Sequence, residues 1–399
     1  MQIRRDRSHL HFGRRRGLPW RRWLVTAAVL LALTGLAAWQ FNHIQAGVAT
    51  LLGAPPTPTP SAPTVARRGY LAYLDGDLEG AEVGFAEALR MDPANLDYLF
   101  EYGHILLLED KSEEGLAVAE QMVALDATDP RGHALKVLAL YQLDRLDEAI
   151  SVALAALELD PNYALTYAYL AWAYADIGRW NQAVQVAQRA VELDPNSVDA
   201  HRAYAYALTW VGAREQAAQA LETAIALHPT LDFLYFELAL TYRALENVQA
   251  AIAAYERVLA MEPTNTRALL RLCETYYGLR EDAYAQDYCE QALDIDPQYA
   301  PAWRQLGLVY YLQGRYQQAI EALERCAALG SEDIQCLYVR GLAYYYLDRC
   351  DQAEPLLQQA LERTQSERIL GIIREGLRLC AETRLPPTPT PEDEGADAP

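Results

Sequence analysis

Small residues recur along the chain every 34 positions, and apolar residues fall at helical spacing between them. Alanine or glycine fills the recurring position nine times in succession, at Ala81, Gly115, Ala149, Ala183, Ala217, Ala251, Ala285, Ala319 and Ala353. Each period contains two apolar runs at helical spacing, which predicts a helical hairpin. A unit this short cannot bury its own apolar face, so nine tandem units are expected to stack into an all-α solenoid.

Proline marks a second column, twelve residues after the small position. It stands at Pro93, Pro161, Pro195, Pro229, Pro263 and Pro297, whereas Ala127 and Ser331 replace it in two units. Proline lacks a backbone N–H and has a fixed φ, so it favours a break before the next helix.

The unit at 164–197 resembles the tetratricopeptide repeat family. The matching residues are Tyr167, Leu170, Ala171, Tyr174, Gly178, Ala183, Ala190 and Pro195, and the unit at 300–333 matches through Trp303, Leu306, Gly307, Tyr310, Gly314, Tyr316 and Ala319. Lys136 and Arg340 depart from the pattern, because they replace the usual apolar residue at position seven. The resemblance implies a right-handed superhelical solenoid at 64–365, with units near 62–95, 96–129, 130–163, 164–197, 198–231, 232–265, 266–299, 300–333 and 334–365. An amphipathic stretch at 366–384 is expected to cap the last unit.

A different kind of sequence precedes the repeats. The first 23 residues contain eight arginines, and an uncharged apolar run follows at Leu24 to Phe41. This predicts a basic cytoplasmic segment at 1–23 and a transmembrane signal-anchor helix at 24–44, with the repeats outside the cytoplasmic membrane. A cleaved signal peptide is the alternative. A Pro/Thr-rich linker at 45–63 and a Pro/acidic tail at 385–399, predicted to be disordered, both contain the motif PPTPTP, which favours extended spacers.

All six cysteines lie in the last third of the chain. Mapping them onto the repeat places three pairs opposite each other, and we expect disulfides joining Cys273 to Cys289, Cys326 to Cys336 and Cys350 to Cys380. The alternative is six reduced cysteines that fill small positions of the repeat.

Charge and motifs narrow the function. The formal net charge is −20, and the first 23 residues alone contribute +7, so the repeats are strongly acidic and should repel nucleic acid. No catalytic, metal-binding or phosphate-binding motif is recognisable. We therefore expect no enzymatic activity, no metal and no small-molecule cofactor.

Function is expected on the concave face, since the family usually binds protein partners with first-helix positions two, five, nine and twelve. Carried onto this chain, these positions give a candidate groove of Tyr70, Tyr73, Phe100, His104, Tyr141, Trp172, Arg202, Tyr206, Phe233, Phe236, Arg243, Arg267, Tyr277, Arg304, Tyr311, Tyr338 and Tyr345. Aromatics interleaved with arginines suit a partner peptide or helix. The resulting hypothesis is a membrane-anchored interaction scaffold; the alternatives are an accessory or regulatory subunit of an envelope or polysaccharide assembly or export machine, and a carbohydrate-binding module.

Overall fold

The computed structural model describes residues 60–383 of the 399-residue chain, and this part consists of nineteen α-helices and no strand. In chain order they are α1 (Ala62–Asp75), α2 (Leu78–Met91), α3 (Leu96–Leu108), α4 (Ser112–Leu125), α5 (Pro130–Gln142), α6 (Leu146–Leu159), α7 (Ala164–Asp176), α8 (Trp180–Leu193), α9 (Val198–Trp210), α10 (Arg214–Leu227), α11 (Asp232–Ala244), α12 (Val248–Met261), α13 (Thr266–Gly278), α14 (Asp282–Ile295), α15 (Ala300–Leu312), α16 (Tyr316–Ala328), α17 (Gln335–Tyr346), α18 (Cys350–Arg363) and α19 (Glu367–Thr383). They form nine hairpins, α1–α2 to α17–α18, followed by the single helix α19. The prediction of an all-helical repeat solenoid is confirmed.

The recurring small residues lie where two helices meet. Ala183 and Ala319 are fully buried, and so are most residues of that column. A Cβ on Gly307 would come within 2.5 Å of Leu323 Cγ. The small side chains therefore allow the close helix contact from which the hairpin is built.

In five units an aromatic residue at position four ties the unit to the preceding turn. Tyr167 and Tyr235 donate a hydroxyl hydrogen bond to the carbonyl six residues earlier, and Trp303 Nε1 donates to the Pro297 carbonyl at 2.9 Å. His201 Nε2 lies 2.9 Å from the Pro195 carbonyl in the same arrangement. In these units the polar tip of the ring satisfies a carbonyl that the helix leaves free.

The turn inside every hairpin uses a left-handed backbone at position fifteen. The nine residues, all with positive φ, are Gly76, Asp110, Asp144, Gly178, Gly212, Glu246, Arg280, Gly314 and Asp348. Glycine adopts this conformation freely, whereas other L-residues are strained there. Five of the nine turns therefore carry a local conformational cost.

Helix α19 covers the end of the solenoid, and it buries Ile373 and Cys380 while Ile372 stays exposed. Three disulfides reinforce this end: Cys273–Cys289, Cys326–Cys336 and Cys350–Cys380, with Cα–Cα distances of 5.4, 6.2 and 5.4 Å. These are the three pairs expected from the repeat register. The last of them joins the start of α18 to α19.

The expected membrane location is contradicted. The proposed membrane-spanning helix at 24–44, the basic segment before it and the tail at 385–399 lie outside the described residues. Among the helices of residues 60–383, none is long and apolar enough to cross a membrane. The longest, α19, has seventeen residues and carries several charges, whereas a span needs about 20 mainly apolar residues. The prediction of a single-pass protein with its repeats outside the cytoplasm is therefore corrected.

Candidate partner-binding groove

The first hairpin returns to contact the connection between the fifth and sixth hairpins, so the N-terminal part of the solenoid forms a closed turn. Thr230 Oγ1, in the turn before α11, donates a 2.8 Å hydrogen bond to the carbonyl of Leu74 at the end of α1. The rings of Tyr73 and His228 meet edge to face with centroids 4.6 Å apart. A Cβ on Gly76 would lie 2.5 Å from the Thr230 carbonyl oxygen. The first helices of these hairpins consequently surround a shared interior.

A buried polar cluster crosses this interior. His104 Nε2 on α3 lies 2.9 Å from Asp199 Oδ2 on α9, and these side chains are only 12% and 8% exposed. Arg202 contacts Asp199 Oδ1 at 3.3 Å and Glu237 Oε1 on α11 at 2.7 Å. The Tyr169 hydroxyl donates to Asp199 from α7. Four helices are thus joined through one network of charge-assisted hydrogen bonds.

The network favours the charged forms of Asp199 and His104. Burial alone would raise the pKa of Asp199, but His104 and Arg202 outweigh it and lower that pKa to about 2. Burial would lower the pKa of His104, yet the Asp199 carboxylate raises it above its usual value. Burial also raises the pKa of Tyr169, whose hydroxyl therefore stays protonated. When His104 is protonated, the cluster pairs two cations with two carboxylates, which lowers the cost of burying them.

A pocket of about 630 Å³ opens beside this cluster on the concave face. Six residues of the sequence-predicted groove line it: Tyr141, Trp172, Arg202, Tyr206, Phe233 and Arg267. Tyr141 stacks on Trp172 at 5.8 Å, and the Arg202 guanidinium lies 5.3 Å above the Trp172 ring. The volume and the mixture of apolar and polar walls are typical of a ligand site.

The remaining wall of the pocket is apolar with an acidic rim. Leu107, Leu108, Leu138 and Leu240 line it, and Leu240 is 53% exposed. Asp110, Asp232 and Glu237 supply carboxylates, while the lining cations are Arg202 and Arg267. Since Arg202 is already paired with Glu237, carboxylates outnumber cations among the groups left to meet a ligand.

A second depression of about 490 Å³ lies on the other border of the polar cluster. Tyr73, Phe100 and His104, also predicted for the groove, line it together with Tyr163 and Asp199. Phe100 stacks on His104 with centroids 6.1 Å apart. The predicted continuous groove is therefore divided in two, because the cluster and the contact of hairpin one fill its middle.

The other predicted residues border neither depression. Phe236 is buried beneath the Arg267 guanidinium, Tyr338 is buried, and Arg304 bridges Glu274 and Asp333. Tyr277, Tyr311 and Tyr345 are half-buried in hairpins seven to nine, whereas Tyr70 and Arg243 are exposed. Within residues 60–383, no group of three or more His, Cys, Asp or Glu side chains is arranged to hold a metal ion.

Sequence reasoning missed Asp199, Glu237 and Thr230, the partners that close the turn. Each lies in a first helix or just before one. A single polar residue at such a position is common in these repeats, so none of the three stands out from the residues at the same position in neighbouring units. Glu237 meets Arg202 of the adjacent unit, whereas Asp199 and Thr230 also have partners far away along the chain, which no local signal reveals. His104 and Asp199, for example, are 95 residues apart.

Solved structures with a similar fold are numerous but distant in sequence. The human IFIT1 dimer with PPP-AAAA is 18% identical, with a TM-score of 0.50, and the match covers 79% of this chain and 76% of that one. The Cut9–Hcn1 hetero-tetramer of APC/C is 17% identical at a TM-score of 0.49, covering 88% and 82%. YrrB, described as a TPR protein with an unusual peptide-binding site, is 17% identical at 0.38, covering 48% and 99%. No curated protein sequence matches significantly.

Models of one repeat family match four stretches of the sequence. Each is described as tetratricopeptide repeat, and the matched residues are 130–163, 165–207, 242–306 and 300–366. Together they cover about half of the chain and most of the hairpins seen in the structure. The chain belongs to the tetratricopeptide repeat family.

Proposed function

We propose that this protein is a non-enzymatic interaction scaffold that binds a segment of a partner protein in the pocket of its N-terminal closed turn. The observation that carries the proposal is the 630 Å³ concave pocket, whose aromatic and leucine walls stand beside a polar cluster already satisfied within the protein. Binding energy at protein interfaces concentrates where apolar anchors enter such desolvated pockets.

The lining indicates the chemistry of the partner segment. Leu107, Leu138 and Leu240 would receive an apolar side chain, and Asp110 and Asp232 at the rim would attract a neighbouring lysine or arginine. We therefore expect a segment that combines an apolar anchor with a basic residue, bound as a peptide or as one face of a helix.

The polar cluster contributes by holding the pocket open before binding. Arg202 is fixed between Asp199 and Glu237, and the Tyr206 hydroxyl is hydrogen-bonded to Asp176. Side chains held in this way lose little conformational entropy when a ligand arrives, which favours affinity.

The alternative functions have less support. The role as an accessory subunit of an envelope machine depended on the membrane location that is corrected above. Carbohydrate binding would need open aromatic faces in the groove, but Trp172 is only 7% exposed and is covered by Tyr141 and Arg202.

A peptide selection tests the proposal. Random 16-residue peptides would be selected on the full chain, and the enriched peptides titrated against the wild type, Leu240→Glu and Leu154→Glu by calorimetry. Leu154 is a matched control, since it is also an exposed leucine, 47% accessible, but lies on the second helix α6 outside the pocket.

We expect basic-apolar peptides whose binding is weakened at least tenfold by Leu240→Glu and is unchanged by Leu154→Glu, because a buried unpaired carboxylate costs more than 1.4 kcal/mol. Equal binding to all three proteins would refute the pocket as the partner site.

A further inference from the structure

Four tyrosines, one exposed and three half-buried, cluster at the edge of the solenoid, far along the chain from the pocket. Tyr346, the last residue of α17, is 51% exposed and stacks on Tyr316 with ring centroids 4.6 Å apart and planes at 6°. Tyr311 and Tyr345 pack against this pair edge to face at 5.7 and 5.2 Å. The exposed Tyr346 ring, stacked on Tyr316, offers a flat apolar surface to a ligand.

The repeat places the end of the described chain on the same edge. Tyr316 and Tyr346 are 30 residues apart, and so are the disulfide partners Cys350 and Cys380 one unit further on. Thr383 Oγ1 lies 3.6 Å from Cys350 Sγ, only a few residues from Tyr346. The chain therefore leaves α19 beside the tyrosine cluster.

Two arginines flank the cluster without a carboxylate partner. Arg315 precedes Tyr316 and donates to Gln286 Oε1 at 2.8 Å, and Arg349 donates to Gln317 Oε1 at 3.3 Å. Both are exposed, and within residues 60–383 neither forms an ion pair. Each guanidinium group is therefore available to a carboxylate from outside these residues.

The residues that follow Thr383 have the complementary composition. Their sequence, RLPPTPTPEDE at 384–394, places a proline-rich motif before Glu392, Asp393 and Glu394. Proline-rich segments bind aromatic-lined surfaces. At about 3.1 Å per residue, the nine residues from Thr383 to Glu392 extend about 28 Å, which exceeds the roughly 10 Å between adjacent packed helices.

We propose that residues 386–394 bind back onto the edge of hairpins eight and nine of the same molecule. The prolines pack on the Tyr316–Tyr346 stack, and the three carboxylates pair with Arg315 and Arg349. This surface is separate from the N-terminal pocket, so the proposal goes beyond the proposed function and its outcome does not depend on it.

Photocross-linking in the full chain tests the proposal. Thr388 is replaced by a benzophenone amino acid, the dilute protein is irradiated, and the cross-linked peptides are mapped by mass spectrometry. The expected products join residue 388 to peptides containing Tyr316 or Tyr346 within one molecule. Tyr346→Ala is expected to lower their yield about fivefold, the loss typical of one aromatic contact.

Two further variants define the result. The double variant Arg315→Gln/Arg349→Gln is expected to lower the yield about threefold, the effect of losing exposed ion pairs. Trp210→Ala is the matched control, because Trp180 and Trp210 form an equivalent exposed stack and are also 30 residues apart. This variant should leave the cross-linking yield unchanged. Three results would each overturn the proposal. They are cross-links to the Trp180–Trp210 edge, a cross-linking yield that Tyr346→Ala does not change, and cross-links between two different molecules when isotope-labelled and unlabelled protein are mixed.

Discussion

The imidazole of His104 pairs with the carboxylate of Asp199 at 2.9 Å, although 95 residues separate them along the chain. The pair joins α3 to α9 across the interior of the closed turn. Neighbouring hairpins of a solenoid stack without such a pair. The pair therefore stabilises the closure of the turn and is not needed for the repeats to form.

The first prediction concerns the pH dependence of stability. The folded-state pKa of His104 is raised above its ordinary value of 6.5, so its contribution is fully present below pH 6.5 and is lost as the pH rises through the raised pKa. The folded-state pKa of Asp199 is lowered from 3.8 to about 2, so its contribution is present above pH 3.8 and is lost as the pH falls towards 2. Urea unfolding between pH 5 and 9 should show stability falling as the pH rises above 6.5, and His104→Gln should flatten that slope. An unchanged slope in the variant would contradict this assignment.

The second prediction concerns the carboxylate itself. Asp199→Asn leaves the buried His104 and Arg202 without their shared anion, and breaking a buried pair costs about 3 kcal/mol. The control Asp287→Asn removes an exposed carboxylate on α14 and should change stability by less than about 0.5 kcal/mol. Denaturant melts of both variants measure the difference; comparable melts would mean that the cluster adds little to stability.

The third prediction concerns the left-handed turns. Arg280 has φ of 62°, is exposed and lies in the turn between α13 and α14. Because an L-residue in this conformation costs roughly 1–2 kcal/mol, Arg280→Gly should stabilise the protein by about 1 kcal/mol after the loss of chain entropy is included.

The matched variants separate this backbone effect from the loss of a charged side chain. Arg280→Ala should bring no gain, and Gly178→Ala, at φ 79°, should destabilise the protein by about 1 kcal/mol. Equal stability of the Arg280→Gly and Arg280→Ala variants would show that the turn is not strained at this position.

The fourth prediction concerns the disulfide that fastens α19. It closes a separation of 30 residues, and in the chain-entropy account its loss costs about 3.6 kcal/mol. In Cys350→Ser/Cys380→Ser, hydrogen exchange of residues 367–383 should accelerate strongly, because only Ile373 and a few half-buried side chains then hold the helix. Cys273→Ser/Cys289→Ser, which removes a disulfide within hairpin seven, should leave exchange in α19 nearly unchanged. Equal effects of the two double variants on α19 would argue against a local fastening role.

The sequence alone determined the local architecture. The 34-residue period, the small residues such as Ala183 and the prolines at unit boundaries predicted helical hairpins, and the register placed all six cysteines in pairs that the structure joins. These features depend on contacts within one unit or between adjacent units. A periodic pattern specifies such contacts directly, since each residue meets its partner at a constant separation.

Only the tertiary structure decided how the repeats curve back on themselves. The closure of Leu74 on Thr230 spans 156 residues, and the polar cluster of His104, Asp199 and Arg202 exists only because several hairpins bring it together. The rotation between successive hairpins is small and accumulates over the array, so the period does not reveal which distant units meet. The repeat places these side chains on one concave face, and the closure of the turn brings some of them close enough to fill the middle of the predicted groove. The groove is therefore divided into two depressions.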